Sequence, residues 1–158
     1  MNSPIGTREA PTADTVVLCV GPRHDDLASL ERIFRGTGWD FLTASSLESS
    51  FSALREKTIS MVICGDQPPL GAWREILAET AQWEDPPLVI VSARLADERL
   101  WVEALNLGAY DVLATPFDAT EVVRVVNMAQ QHWHHRRKLR DARGGLTRVA
   151  ASGPSSGE

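Results

Sequence analysis

Five short runs of apolar and β-branched residues, separated by segments with helical spacing, constrain the fold of this chain more than any other feature. The runs lie at residues 15–20, 40–44, 59–64, 88–91 and 110–113. Their length and composition predict β-strands. The first, third and fourth are almost continuously apolar rather than alternating, which indicates strands covered by helices on both faces. The pattern therefore predicts an α/β fold with a doubly wound, five-stranded parallel sheet.

The segments between the runs carry signals for the start and end of helices. Residues that cap helix starts precede three segments: Asp25 or Asp26 before the first, Ser45 with Glu48 before the second, and Asp118 with Glu121 before the fifth. The third helix is predicted after the loop 65–71 and carries Trp73, and the fourth runs from about Asp97 to a stop at Gly108. The chain thus repeats a strand and a helix five times.

Composition limits the chain to one globular domain with flexible ends. The 158 residues are 43% apolar and 23% charged, which is typical of a single soluble domain. Residues 1–14 and 144–158 contain few bulky side chains and are predicted to be disordered arms. No export signal and no long apolar run is present, so we expect a cytoplasmic protein with no membrane partner.

Several functional classes lack their motifs in this sequence. The loop 21–26 after the first strand has one glycine, whereas a dinucleotide-binding turn needs three. A P-loop and a nucleophile elbow are also missing, so we expect no enzyme of those classes. Cys19 and Cys64 each lie in an apolar run and are predicted to be reduced core residues.

Motifs at the strand ends carry a resemblance to a known family. They are Val62-Ile63-Cys64 before a loop with Pro69 and Gly71, Ile90-Val91-Ser92-Ala93, Gly108-Ala109-Tyr110-Asp111, and Thr115-Pro116-Phe117. The stretch from residue 15 to about residue 137 resembles the receiver domain of response regulators. The resemblance implies the flavodoxin-like receiver fold with sheet order 2-1-3-4-5. We place the receiver-like domain at 15–131, followed by a basic helix extension at 132–143 and the tail at 144–158.

The resemblance also implies that the phosphorylation site has changed. In the family, two acidic residues after the first strand and an aspartate at the end of the third strand hold Mg²⁺, and that aspartate accepts a phosphoryl group. The two acidic positions fall on Gly21 and Pro22, and the acceptor position falls on Gly65. Because Mg²⁺ binds carboxylate oxygens, we expect neither a metal nor another cofactor here.

Other positions of the family site are partly kept. The lysine before the last-loop proline is replaced by Thr115, and the aromatic switch position falls on Val112. Ser92 stands where the family has Ser or Thr, and Pro116 is kept, whose preceding peptide bond is often cis in the family. Both residues also suit a structural role at a strand end.

Two hypotheses follow for the mode of action. In the first, the chain is a stand-alone, degenerate receiver in two-component (phosphorelay) signalling that acts by protein–protein interaction and is not an enzyme. In the alternative, Asp66, one residue beyond the family position, is a displaced phosphoacceptor that uses Mg²⁺. Asp66 could equally be a solvated loop carboxylate. Only 21 residues follow Arg137, too few for a helix-turn-helix output domain with its own core.

The expected interaction surface is the face formed by the fourth helix, fifth strand and fifth helix, which the family commonly uses. Residues in these elements are Arg99, Trp101, Asp111 and Arg124. Trp101 could be an exposed anchor for a signalling partner or a homodimer, or it could belong to the core.

The basic segment 132–140 extends the fifth helix. It could be a solvated helix end, a linker remnant, a weak metal site at His132 and His135, or a nucleic-acid contact through cations at the end of the helix (Arg136, Arg137, Lys138 and Arg140). Residues 1–131 carry ten Lys/Arg against nineteen Asp/Glu. This acidic body disfavours nucleic acid as a partner.

Overall fold

A computed structural model describes residues 16–21, 24–66 and 72–151, with side chains as far as Gly144. Predictions for the N-terminal arm, Pro22, the loop 67–71 and the end of the tail (152–158) lie outside the described residues. The described chain alternates strands and helices as follows: β1 (Val16–Val20), α1 (His24–Arg35), β2 (Asp40–Ala44), α2 (Leu47–Glu56), β3 (Met61–Gly65), α3 (Trp73–Thr80), β4 (Leu88–Ala93), α4 (Glu98–Asn106), β5 (Asp111–Ala114) and α5 (Ala119–Ala151).

The strands form one parallel sheet in the order β2-β1-β3-β4-β5. Leu18 in β1 lies beside Leu42 and Val62 of its two neighbours. Every residue of β1, β3 and β4 is buried, because helices cover both faces of the sheet. The predicted doubly wound sheet and its order are confirmed, and the strand ends differ from prediction by at most two residues within the described chain.

Alternate residues along the strands enter two separate cores. On one face, Leu18 and Cys64 pack with Trp73 and other residues of α2, α3 and α4. On the opposite face, Cys19 packs with residues of α1 and α5, including Trp133. Because successive side chains of a strand point to opposite faces, the two thiols lie in different cores. Both cysteines are buried and free, as predicted.

The helix starts agree with the predictions for α4 and α5 and correct those for α1 and α2. Asp97 caps α4, and Asp118 accepts a hydrogen bond from the Glu121 backbone N–H at 3.0 Å. The cap of α2 is Ser46, one residue after the predicted Ser45, and Ser49 takes the place predicted for Glu48. Asp25 and Asp26 lie inside the first turn of α1, which begins at His24, so neither is its cap.

The basic helix extension continues α5 and packs against the folded body. Trp133 is fully buried in the core beside α1. Arg140 and Arg137 contact the carboxylate of Asp85 at 2.6 and 3.5 Å, and Arg136 donates to the Pro86 carbonyl. Backbone helix continues to Ala151, past residue 144 where the tail was predicted to begin.

Candidate functional site

The carboxyl ends of the strands meet at one edge of the sheet, where parallel α/β proteins bind ligands. Gly65 at the end of β3 lies beside Ser92 of β4. The backbone N–H of Asp66 donates to the Ser92 carbonyl at 2.9 Å, and that of Thr115 donates to the Ala93 carbonyl at 3.0 Å. The structure therefore brings together the residues that the sequence placed at the third, fourth and fifth strand ends.

Asp66 is in contact with a tryptophan. Its Oδ1 accepts a hydrogen bond from Nε1 of Trp73 at 2.8 Å, across the loop between β3 and α3. Trp73 is fully buried and Asp66 is half-buried. Sequence reasoning placed both residues in the correct elements and missed their contact. The available signal was that a buried indole N–H needs an acceptor, and Asp66 is a nearby carboxylate.

The residue that directly follows β1 is a glycine and supplies no carboxylate. Gly21 has a positive φ of 61° and donates its N–H to the Ala44 carbonyl at 3.2 Å. This left-handed backbone suits glycine. Asp25 and Asp26 lie in the first turn of α1. No group of three or more His, Cys, Asp or Glu side chains that could hold a metal occurs among the described residues.

The last loop presents a neutral hydroxyl in place of a cation. The hydroxyl of Thr115 is buried and has no hydrogen-bond partner among the residues that the structure describes. The peptide bond before Pro116 is cis. Ser92 is 5% exposed at the end of β4, and Val112 is buried in the core beside α4. Thr115 therefore supplies no charge at this strand end, and Val112 supplies no aromatic ring.

The face of α4, β5 and α5 combines charged and apolar side chains. Arg99 and Arg124 are exposed, whereas Trp101 is half-buried against the core. Asp111 accepts a hydrogen bond from the Val112 N–H at 2.8 Å. Large exposed apolar side chains on α4 and on the first half of α5 are Val102 (53%), Leu105 (47%) and Met128 (50%). Trp101 thus packs partly on the core, and the more exposed apolar surface belongs to residues that the sequence analysis did not select.

A second set of contacts joins α3 to α4. The guanidinium of Arg74 lies 4.2 Å from the ring centroid of Trp73. Nε of Arg74 is 2.8 Å from Oε1 of Glu103. The hydrogen bond from Arg74 holds the pKa of the Glu103 carboxyl below its ordinary value of 4.5.

The cations of the basic extension are largely held by the body. Asp85 contacts Arg137 and Arg140, and the guanidinium of Arg137 also lies 4.7 Å from the ring centroid of Trp133. His132 is exposed, and its ring centroid lies 5.7 Å from that of Tyr110. None of the described helices is long and apolar enough to cross a membrane.

Comparison with known proteins identifies relatives. No protein-family model matches the chain. Over 109 residues it is 36% identical to the transcriptional regulatory protein PrrA of Mycobacterium tuberculosis, which covers 68% of this chain and 46% of PrrA. Over 113 residues it is 29% identical to the DNA-binding transcriptional regulator NtrC of Klebsiella pneumoniae, which covers 72% of this chain and 24% of NtrC.

Solved structures confirm the fold. The signal receiver domain of an HD domain-containing protein from Pseudomonas fluorescens Pf-5 matches with a TM-score of 0.71 at 20% identity, over 80% of this chain and 94% of that one. The architecture is thus that of a receiver domain. The sequence relatives of the chain are transcriptional regulators, and its fold is that of a signal receiver domain. The chain spans less than half the length of PrrA and about a quarter of NtrC.

Proposed function

We propose that this receiver domain is a degenerate member of its family, which acts by binding another signalling protein or a second copy of itself. Its output does not depend on phosphorylation of an aspartate. The position at which the family has the acceptor is Gly65, which has no side chain to modify.

The observation that carries this proposal is the contact between Asp66 and Trp73. Asp66, which directly follows the acceptor position at the end of β3, accepts a 2.8 Å hydrogen bond from a fully buried indole. A phosphoacceptor must align with its donor and metal to within fractions of an ångström. Asp66 is directed to a structural partner, which favours binding over phosphoryl transfer.

The neighbouring strand end supports the same proposal. A phosphoryl group is stabilised by cations and by Mg²⁺ held on carboxylates. Thr115 is neutral where the family has lysine, and Gly21 has no carboxylate where the family has an acid. An acyl phosphate formed at Asp66 would therefore lack the charges that stabilise it in the family.

The surface that we propose for binding is the face of α4, β5 and α5. Exposed Val102 and Leu105 supply apolar contact area, and Arg99 and Arg124 supply charge around it. Arginine with apolar neighbours is a common composition at protein interfaces. Trp101 contributes mainly by packing beneath this surface.

The test is the intact mass of the full chain after incubation with a small-molecule phosphodonor and Mg²⁺. Wild type and Asp66→Asn are compared, and a receiver with the complete acidic set serves as the positive control. We expect no phosphoryl adduct on either form of this chain. An adduct on wild type that is lost in Asp66→Asn would overturn the proposal and support the Mg²⁺-dependent alternative.

A further inference from the structure

Three contacts join the end of β3 to α4. Oδ1 of Asp66 is 2.8 Å from Nε1 of Trp73, the Arg74 guanidinium stacks 4.2 Å from the Trp73 ring centroid, and Nε of Arg74 is 2.8 Å from Oε1 of Glu103. We call these four residues the α3 contact chain. It runs from the strand end next to the family acceptor position to the helix whose outer face we propose for binding.

Within the α3 contact chain, the hydrogen bond between Asp66 and Trp73 is fixed more strongly than the ion pair between Arg74 and Glu103. Trp73 is fully buried, and its N–H would be left without an acceptor if the Asp66 carboxylate were removed. An unsatisfied buried donor is costly, and a hydrogen bond to a charged acceptor is stronger than a neutral one. The orientation of the indole plane is therefore determined by Asp66.

The geometry of the ion pair between Arg74 and Glu103 depends on the position of the Trp73 ring. The side chains of Arg74 and Glu103 are 44% and 42% exposed, and an exposed ion pair alone restricts geometry weakly. Here the guanidinium also lies over the Trp73 ring, which adds a cation–π contact. The ring thus limits the positions that Arg74 can take when it binds Glu103.

Glu103 transmits this restriction to the surface of α4. Leu100 and Ala104 on the same helix are buried in the core, whereas Val102, the neighbour of Glu103, is 53% exposed. The core fixes α4 on one side, and Arg74 holds it along the side that faces α3.

We propose that Asp66 and Trp73 are positioning residues for α4. Their contact, transmitted by Arg74 and Glu103, fixes the surface that α4 presents without a phosphoryl group. This inference rests on the proposed function and adds a regulatory element to it. Any change that separates Asp66 from Trp73 loosens α4, and a partner that tightens α4 stabilises the strand-end contact in return.

The test is amide hydrogen exchange of the full chain, followed residue by residue by NMR. We expect Asp66→Ala and Trp73→Phe to speed exchange of the α4 amides about tenfold, the factor that corresponds to one lost buried hydrogen bond. Asp66→Asn keeps an acceptor oxygen and is expected to restore slow exchange and the wild-type indole N–H resonance. Glu75→Ala, at an exposed acid of α3, is the matched control and should leave α4 unchanged.

Two outcomes would overturn the inference. One is unchanged α4 exchange in Asp66→Ala although its indole resonance has moved. The other is an equal rise of exchange in α1 and α4, which would show a merely structural role. If Trp73→Phe does not fold, a cycle of Asp66→Ala, Glu103→Ala and the double variant decides, because additive effects on α4 exchange contradict the coupling. The phosphodonor experiment tests the proposed function separately, since it does not depend on α4 exchange.

Discussion

The cysteine thiols lie deep in the two cores, and this makes the stability of the protein sensitive to alkaline pH. Burial raises the pKa of Cys64 from 9.0 to about 12, and burial also raises the pKa of Cys19. Between pH 9 and pH 12 the folded state keeps the Cys64 proton and the unfolded state loses it. We therefore expect the free energy of unfolding to fall with rising pH in this window, and to be unaffected by this thiol below it.

The measurement is urea denaturation at several pH values from 7 to 11. The informative quantity is the difference in slope between wild type and Cys64→Ser, because contributions from all other groups cancel in that difference. We expect the wild type to lose more stability per pH unit above pH 9, by up to about 1.4 kcal/mol. Parallel curves for the two proteins would contradict the raised pKa.

Single residues of the candidate site were predictable to different degrees. The places of Gly65 at the end of β3 and of Thr115 just after β5 followed from the pattern of apolar runs, because the ends of parallel strands meet at one edge of the sheet. The hydrogen bond between Asp66 and Trp73 did not follow, because it spans a loop whose path no periodicity specifies. A pattern places a side chain in an element and leaves its partner across a loop undetermined.

At the scale of single elements, the start of α2 shows which of two possible capping boxes the structure uses. Ser45 with Glu48 and Ser46 with Ser49 both fit the spacing of a capping box, and the structure uses the second pair. Replacing Ser46 by Ala is expected to lower the free energy of unfolding by about 1 kcal/mol, because the Ser49 backbone N–H loses its acceptor. Ser45→Ala is the matched control.

Urea denaturation of the two alanine variants provides the measurement. Ser45 is exposed one residue before the cap, so its replacement should change stability by less than about 0.5 kcal/mol. A larger loss in Ser45→Ala than in Ser46→Ala would instead support the capping box predicted from the sequence.

The carboxylate of Asp85 helps to hold the second half of α5 to the body. Asp85 contacts both Arg137 and Arg140, and these side chains are only about a third exposed. We expect Asp85→Asn to lower the free energy of unfolding by about 1 kcal/mol, more than a fully exposed ion pair contributes, and to speed tryptic cleavage after these arginines. The control is Glu84→Gln, which changes an exposed neighbouring acid. Equal cleavage rates in the two variants would show that Asp85 does not hold the helix.

At the scale of the whole molecule, the exposed apolar residues of α4 define the proposed contact surface. Val102 is 53% exposed on α4, and Leu139 is 49% exposed on the later part of α5. If a second copy of the chain is the partner, Val102→Glu should weaken self-association at least tenfold, because a charge would be buried at the contact. Leu139→Glu, at similar exposure, should leave it unchanged.

Sedimentation over a range of concentrations measures this difference. Self-association that is unaffected by Val102→Glu would contradict dimerisation through this surface. Self-association that is lost equally in both variants would indicate a general effect of added charge rather than a specific contact.

The overall fold was predictable because it depends on features repeated along the chain. Five apolar runs and the segments between them specify five strands and five helices whatever the detail of each boundary. The packing of the basic extension against the body was not predictable, because it depends on contacts between residues far apart in the sequence. Its arginines match a solvated helix end, and only the three-dimensional position of Asp85 and the burial of Trp133 show that the segment belongs to the body.

The firm attachment of α5 has a mechanical consequence. Trp133 and the Asp85 contacts leave this helix little freedom to turn where it passes the sheet. In a continuous helix, each added residue rotates everything beyond it by about 100° and advances it by about 1.5 Å. One alanine inserted after Asp141 would therefore turn the last helical residues, 142–151, by about 100° relative to the body, whereas seven would return them almost to their original orientation about 10 Å further out.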